Sequence, residues 1–205
     1  VKIIFHQQHF FEKDLINYDI IDYRESKMIR LDILVNKKKV DALSQILHKD
    51  NSYRRSKELI ENLKKLPEAI KKTLNLETNI QLMAKEFLEA RGSMFLGRGS
   101  SFPIALEGAL KLKELSYLHA EGYPAGEMKH GPLALIEEGL PVIVIAPKDK
   151  YYEKTLSNTQ EVIARGGKIF FITDNKKRLL STNIRYRLRV PRIDNLLSPL
   201  LPTIP

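Results

Sequence analysis

Two unbroken apolar runs in the second half of the chain constrain the fold more than any other feature. One extends from Pro141 to Pro147 without a polar residue, and the other from Lys168 to Thr173 is almost as apolar. Such runs are typical of strands buried on both faces of a parallel sheet. A helical pattern from about Asp149 to Ala164 lies between them and ends at a Gly-Gly pair, as a glycine C-cap would end it. The region therefore predicts a strand–helix–strand unit.

A similar unit is predicted upstream. The short apolar run Met94–Gly99 closes with glycines, and a helical pattern follows from Pro103, a residue that helices favour in their first turn. Near the end, Tyr186–Val190 alternates like an edge strand with one wet face. Strands that alternate with helices predict an α/β fold, with a doubly wound, mainly parallel sheet flanked by helices.

The first part of the chain is less informative. Residues 1–58 form an unassigned segment, in which Val1–Phe5 and Ile29–Val35 resemble strands. His6 and His9 lie close together there, but two histidines without further ligands do not predict a metal site. Two amphipathic helices follow, so we divide the chain into segment 1–58, a helical connector with the first domain helix at 59–91, and an α/β domain at 92–205. The first helical pattern runs from Leu59 to Ile70 and the second from Ile80 to Leu88.

Composition excludes several classes of function. The 205 residues contain no cysteine, which rules out disulfides, thiolate metal sites and a cysteine nucleophile. No apolar run reaches membrane-spanning length and no signal peptide is visible, so we expect a cytoplasmic protein without a membrane partner. The net charge of +9 is spread along the chain, and its basic clusters are not interleaved with aromatic residues. We therefore expect no nucleic-acid partner.

Three charged residues are spaced to share one face of the predicted helix from Pro103. Glu107, Lys111 and Glu114 follow one another at steps of four and three residues. A solvated, salt-bridged stripe is the ordinary interpretation of such spacing. Against it, the chain continues into a turn-rich segment where ionisable residues up to His130 crowd among small and apolar ones. This crowding favours a chemical role.

Two long motifs carry a resemblance to a known family. The run Ala105–Glu121, followed by Ala125–Leu135, resembles the second of two sugar-isomerase (SIS) domains in glutamine–fructose-6-phosphate aminotransferases. The resemblance extends over roughly Leu59–Pro205 and implies the same doubly wound fold. That family makes glucosamine 6-phosphate from fructose 6-phosphate and glutamine. The resemblance thus implies an isomerase domain of a transferase that binds a sugar phosphate and works as a homodimer.

The resemblance also implies a role for three residues. Glu114 corresponds to the carboxylate that moves a proton between sugar carbons C1 and C2, and Lys111 to a lysine of the same sugar site. His130 corresponds to the histidine that opens the sugar ring, in the active site of the neighbouring subunit. Ring opening and an aldose–ketose proton shift both need an acid and a base, which Glu and His can supply. No cofactor and no metal are implied.

Two of the family's features have no counterpart here. We find neither its serine-rich phosphate loop nor the tail lysine that forms a Schiff base with the sugar. We therefore expect an SIS domain that is C-terminally incomplete and, by itself, weakly active or inactive. The apolar end Leu200–Pro205 is expected to be exposed unless another segment covers it. A sugar-phosphate-binding regulatory module without catalysis and a decayed gene remnant remain the alternatives.

Overall fold

The computed structural model describes residues 16–17, 34–35, 53–176 and 184–205, with side chains from residue 58 onward. The chain divides into two compact units, Val1–Glu68 and Ala69–Pro205. These two units do not test the three segments predicted from the sequence, so the segment boundaries stay predictions. The expected strand Val1–Phe5 and the histidines His6 and His9 lie outside the described residues.

The described residues of the first unit include one short antiparallel pair of strands. Strand β1 is Ile16–Asn17 and β2 is Leu34–Val35, with Ile16 opposite Val35. The expected strand Ile29–Val35 is thus described only at its end, where it is indeed extended. Helix α1 begins at Tyr53 in this unit and ends at Leu74 in the second.

The two predicted amphipathic helices are confirmed. Helix α1 continues through Pro67, although proline removes one main-chain hydrogen bond from the ladder. Helix α2 is Glu77–Ala84, and a 3₁₀ helix Lys85–Phe87 extends it. Both helices are longer toward their N-termini than the apolar pattern indicates, because polar residues fill those first turns.

Five parallel strands form the sheet of the second unit, in the order β4-β3-β5-β6-β7. Helix α3 (Ser101–Ser116) connects β3 to β4, and helix α4 (Tyr152–Ala164) connects β5 to β6. The α/β prediction is confirmed, with β7 at the predicted edge. The strands are β3 (Gly92–Gly97), β4 (His119–Pro124), β5 (Pro141–Ile145), β6 (Lys168–Thr173) and β7 (Ile184–Arg189).

The core lies around the central strands. All five residues of β5 are buried, and so are the last five of β6. Phe170 and Phe171 are fully buried although they are neighbours in sequence, so β6 is covered on both faces. This burial is the physical reason for the continuous apolar runs from which the two strands were predicted.

The prediction of a turn-rich segment after α3 is wrong for His119–Pro124. Helix α3 ends when Tyr117 adopts a left-handed conformation at φ 60°, and residues His119–Pro124 then form β4. Strand β4 pairs with β3 along its whole length through main-chain hydrogen bonds, which require no particular side chains. A strand with glycine, proline and no β-branched residue therefore escaped the sequence pattern.

Helix α4 starts three residues later than expected. Asp149 does not begin the helix, because its carboxylate accepts the main-chain N–H of Tyr151 at 2.8 Å and closes a turn in front of it. The predicted end is confirmed: the helix stops at Ala164, and Gly166 has a φ of +85°.

The apolar end of the chain is only partly exposed, contrary to the expectation for Leu200–Pro205. Leu197 and Leu201 are 9% and 1% exposed, and Pro202 is also buried. A 3₁₀ helix at Ser198–Leu200 turns the chain so that Leu201 and Pro202 are buried, while Leu200, Ile204 and Pro205 stay partly exposed. Among the described residues, no helix is both long and apolar enough to cross a membrane.

A cluster of charged residues around the largely buried Glu86 joins the 3₁₀ helix after α2 to the starts of β6 and β7. Glu86 accepts hydrogen bonds from Lys168 at 2.7 Å and from Arg185 at 2.8 Å, and the Tyr186 hydroxyl lies 3.3 Å away. The hydrogen bonds from Lys168 and Arg185 lower the pKa of Glu86 from 4.5 to about 2. Native protein therefore holds this carboxylate ionised at pH values where the unfolded chain protonates it.

The Glu86 cluster predicts a pH-dependent stability. Its contribution is complete above the unfolded pKa of 4.5 and is lost as the pH falls through about 2. We expect Glu86→Gln to melt below the wild type near neutral pH, and the gap to close on acidification. Thermal unfolding followed by circular dichroism measures both. The exposed Glu137→Gln is the control, and a gap that stays constant from about pH 6 to about pH 2 would contradict the prediction.

Candidate active site

Helix α3 presents the three predicted charges on one face. The Lys111 ammonium lies 2.9 Å from the Glu114 carboxylate and 3.7 Å from that of Glu107. About half of each glutamate side chain is exposed, whereas the lysine is 27% exposed between them. The lysine is thus bracketed by two carboxylates that a small ligand can reach.

Small residues on the other face seat α3 on the sheet. Ala105 and Ala109 are buried, and a Cβ atom on Gly108 would lie 2.7 Å from the Phe95 ring. Gly122 of β4 is equally constrained, since a Cβ there would lie 2.9 Å from the main chain of α3 at Leu106. This close approach fixes the orientation of the charged face.

The environment of Lys111 favours its charged form. The hydrogen bond with Glu114 is the main cause that raises the pKa of Lys111, and the negative charges of Glu114 and Glu107 add to it. Lys111 is therefore a fixed cation at neutral pH and not a base. Within this pair, only the carboxylate is available to accept a proton.

His130 ends a 3₁₀ helix, Ala125–His130, that follows β4. Its ring is 74% exposed, and its Nδ1 atom lies 2.8 Å from the Glu127 carboxylate. A carboxylate at Nδ1 accepts the N–H of that nitrogen, so the neutral ring keeps its acceptor at Nε2. The exposed Nε2 atom can then exchange protons with a ligand.

The topology places the Lys111–Glu114 pair and His130 at opposite ends of strand β4. Helix α3 starts beside the carboxyl end of β3 and runs antiparallel to that strand. Lys111 and Glu114, near the end of α3, therefore lie toward the end of the sheet where β4 begins. His130 follows the carboxyl end of β4, whose six residues span about 20 Å. Among the described residues, no hydrogen bond or ion pair joins His130 to Lys111 or Glu114. Sequence spacing predicted the pair on α3 but not this separation.

Three further ionisable residues, His119, Glu121 and Tyr123, lie on β4. Tyr123 donates a short hydrogen bond to Glu121, which together with burial raises the pKa of Tyr123, and His119 lies 3.5 Å from the same carboxylate. In residues 58–176 and 184–205, no three His, Asp or Glu side chains converge as metal ligands would.

Sequence reasoning missed the partners of the His130 helix. Glu127 precedes His130 by three residues, a spacing that could have indicated the pair in a helical segment. Lys129 pairs with Glu161 of α4 at 3.1 Å, and 32 residues separate the two in sequence. No local pattern could have shown that contact.

Comparison with known proteins gives a consistent assignment. A family model of the SIS domain matches residues 86–198. The chain is 50% identical over 151 residues to glutamine–fructose-6-phosphate aminotransferase [isomerizing] of Agrobacterium fabrum, which covers 73% of this chain and 25% of that protein. The enzyme of the same name from Aquifex aeolicus is 47% identical over 147 residues, with coverage of 72% and 25%. This chain thus spans about a quarter of the length of these relatives.

A solved structure supports the same assignment. The C-terminal domain of glucosamine-fructose-6-phosphate aminotransferase from Francisella tularensis matches with a TM-score of 0.71 and 41% identity, over 76% of this chain and 43% of that one. The five-stranded parallel sheet and its flanking helices form an α/β domain, and the family model assigns this domain to the sugar-isomerase class. Since the family model covers more than half of its residues, the chain belongs to the SIS domain family. Its SIS region is similar to the isomerase region of the aminotransferases.

Proposed function

We propose that this chain supplies isomerase residues for glucosamine 6-phosphate formation from fructose 6-phosphate, as an SIS domain of the aminotransferase type that is at most weakly active by itself. The observation that carries the proposal is the pair formed by Lys111 and Glu114, 2.9 Å apart on the reachable face of α3. It lies within a chain that is 50% identical over 151 residues to an aminotransferase of that name. A cation beside a reachable carboxylate suits a proton transfer on an anionic substrate.

Glu114 acts as the base in this proposal. It accepts the proton of sugar carbon C1 as the C1–H bond breaks and C1 and C2 become an enediolate. It then delivers a proton to C2 while the O1 hydroxyl proton passes to O2, so the carboxylate ends as it began. Negative charge leaves Glu114 when it takes the proton and develops on the sugar. The charged Lys111, held in place by Glu107 and Glu114, stabilises this charge throughout the transfer.

His130 acts as the ring-opening group. Opening a cyclic sugar requires a proton to leave the anomeric hydroxyl and a proton to reach the ring oxygen, and an imidazole can do both in turn. Because Glu127 occupies Nδ1, the exposed Nε2 of His130 is the atom for this exchange.

The distance between the two groups calls for a second copy of the chain. Strand β4 is about 20 Å long and lies between the end of the sheet near Lys111 and Glu114 and the end near His130. One hexose phosphate is shorter than this. We propose a homodimer in which His130 of the partner subunit serves the sugar bound at Lys111 and Glu114. Two equivalent sites would then form about one two-fold axis.

Calorimetric titration with fructose 6-phosphate tests the substrate. We expect saturable binding that Lys111→Met weakens about tenfold, because a charge-assisted contact with the ligand is lost. Lys64→Met is the matched control, since Lys64 forms an i,i+3 pair with Glu61 at 3.4 Å on α1. Absence of binding to a folded chain, or equal weakening by both variants, would contradict the proposed site.

A further inference from the structure

The 3₁₀ helix that carries His130 is anchored in the core although His130 itself is exposed. Ala125 and Met128 are fully buried, and Met128 belongs to the same apolar cluster as Val162 of α4. Helix α4 packs directly against this 3₁₀ helix. The exposed histidine thus extends from a segment whose other side is fixed on α4.

An ion pair joins the two elements next to the histidine. Lys129 lies 3.1 Å from one oxygen of Glu161, while the other oxygen of that carboxylate is buried without a hydrogen-bond partner among the described residues. A buried carboxylate oxygen without a donor costs stability. Glu161 is therefore poorly explained as a residue that stabilises the fold.

Asn158 of α4 holds the opposite end of the same 3₁₀ helix. When the Asn158 side-chain amide is oriented with its nitrogen toward hydrogen-bond acceptors, that nitrogen donates to the main-chain oxygens of Ala125 at 3.1 Å and Lys154 at 3.0 Å. Helix α4 thus contacts the segment at its first residue and again at Lys129. Two fixed points define the rotation of a helix about its axis.

We propose that Glu161, through Lys129, is a positioning residue for His130. Neighbouring residues of a 3₁₀ helix point about 120° apart, so a fixed direction for Lys129 also fixes the direction of His130. Glu127 then fixes the ring itself at Nδ1. The inference rests on the proposed function, because the direction of the His130 side chain matters only if His130 acts on a sugar. That direction can be measured without a ligand.

Nuclear magnetic resonance of the full chain tests the positioning role without a ligand. The imidazole signal of His130 is assigned by its loss in His130→Gln. In Glu161→Gln we expect this signal to shift and broaden, and the amides of residues 125–130 to exchange with D₂O about tenfold faster, with an unchanged melting temperature. Lys129→Arg keeps the charge and should retain the wild-type signal.

Glu153→Gln provides the matched control. Glu153 also lies on α4 and pairs with a lysine, Lys148 at 3.0 Å, but this pair does not touch the His130 helix. A His130 signal that responds equally to both variants, or not at all to Glu161→Gln, would overturn the inference. So would a lowered melting temperature of Glu161→Gln with an unmoved signal, since the pair would then be structural. Failure to bind fructose 6-phosphate would contradict the proposed function alone.

Discussion

Glu114→Gln is expected to slow the exchange of the C1 proton of fructose 6-phosphate with D₂O by about 100- to 10,000-fold. This range is the usual contribution of one general base, and glutamine keeps the shape of the side chain while it loses the ability to accept a proton. Mass spectrometry of the recovered sugar phosphate measures the exchange. It detects slow turnover and needs no glutamine, so it isolates the isomerase chemistry.

The chain offers a matched control for this variant. Glu61→Gln removes the carboxylate of another exposed i,i+3 pair, in which Glu61 and Lys64 lie 3.4 Å apart on α1. It should exchange at the wild-type rate. A Glu114→Gln variant that exchanges as fast as Glu61→Gln would show that Glu114 is not the base, even if the sugar binds.

Mixing two inactive variants tests the shared site. In a heterodimer of Glu114→Gln and His130→Gln, one of the two sites would contain both wild-type residues and the other neither. Random association makes half of the dimers mixed, so about a quarter of the sites should recover. No recovery, with dimers present by light scattering, would place both residues in a site within one chain and contradict the proposed arrangement.

Strand prediction succeeded where burial selects the side chains. Strands β5 and β6 are covered on both faces, so nearly every residue had to be apolar and the runs were visible. Strand β4 lies at an edge and its Gly122 is selected by close contact with α3, so its sequence reflects the helix and not strand propensity. The same reasoning explains the C-terminal segment, whose burial depends on how the chain folds back.

The sequence indicated those side-chain contacts that local helix geometry determines. The spacing of Lys111 and Glu114 fixes their contact in any helix, which is why the sequence alone indicated it. The position of His130, at the other end of β4 from Lys111 and Glu114, depends on the order of the strands. The pair of Lys129 with Glu161 depends on packing between distant segments. Neither leaves a periodic trace in the sequence.

Gly97→Ala is expected to destabilise the second unit by about 3 kcal/mol, the upper end of what overpacking costs. A Cβ atom at this position would lie 2.1 Å from the main-chain oxygen of Ser101 and 2.8 Å from the nitrogen of Phe102. These atoms belong to the first turn of α3, so relief requires movement of the helix. The melting temperature should fall by roughly 6–12 °C, as measured by circular dichroism.

Gly92→Ala is the matched control because it adds the same methyl group to the other end of β3. The nearest atom to a Cβ there is the main-chain oxygen of His119 at 3.4 Å, an ordinary contact distance. This variant should melt within a few degrees of the wild type. Equal melting temperatures for the two variants would mean that α3 does not meet β3 as closely as described.

Gly97→Ala also separates the two requirements of the proposed site. The contact of Lys111 with Glu114 is internal to α3, so a displaced but intact helix keeps it. What the displacement changes is where the pair lies relative to the sheet and, in a dimer, to His130 of the partner subunit. Loss of fructose 6-phosphate binding below the melting transition would therefore show that the seat of α3 on β3 and β4, and not the pair alone, makes the site.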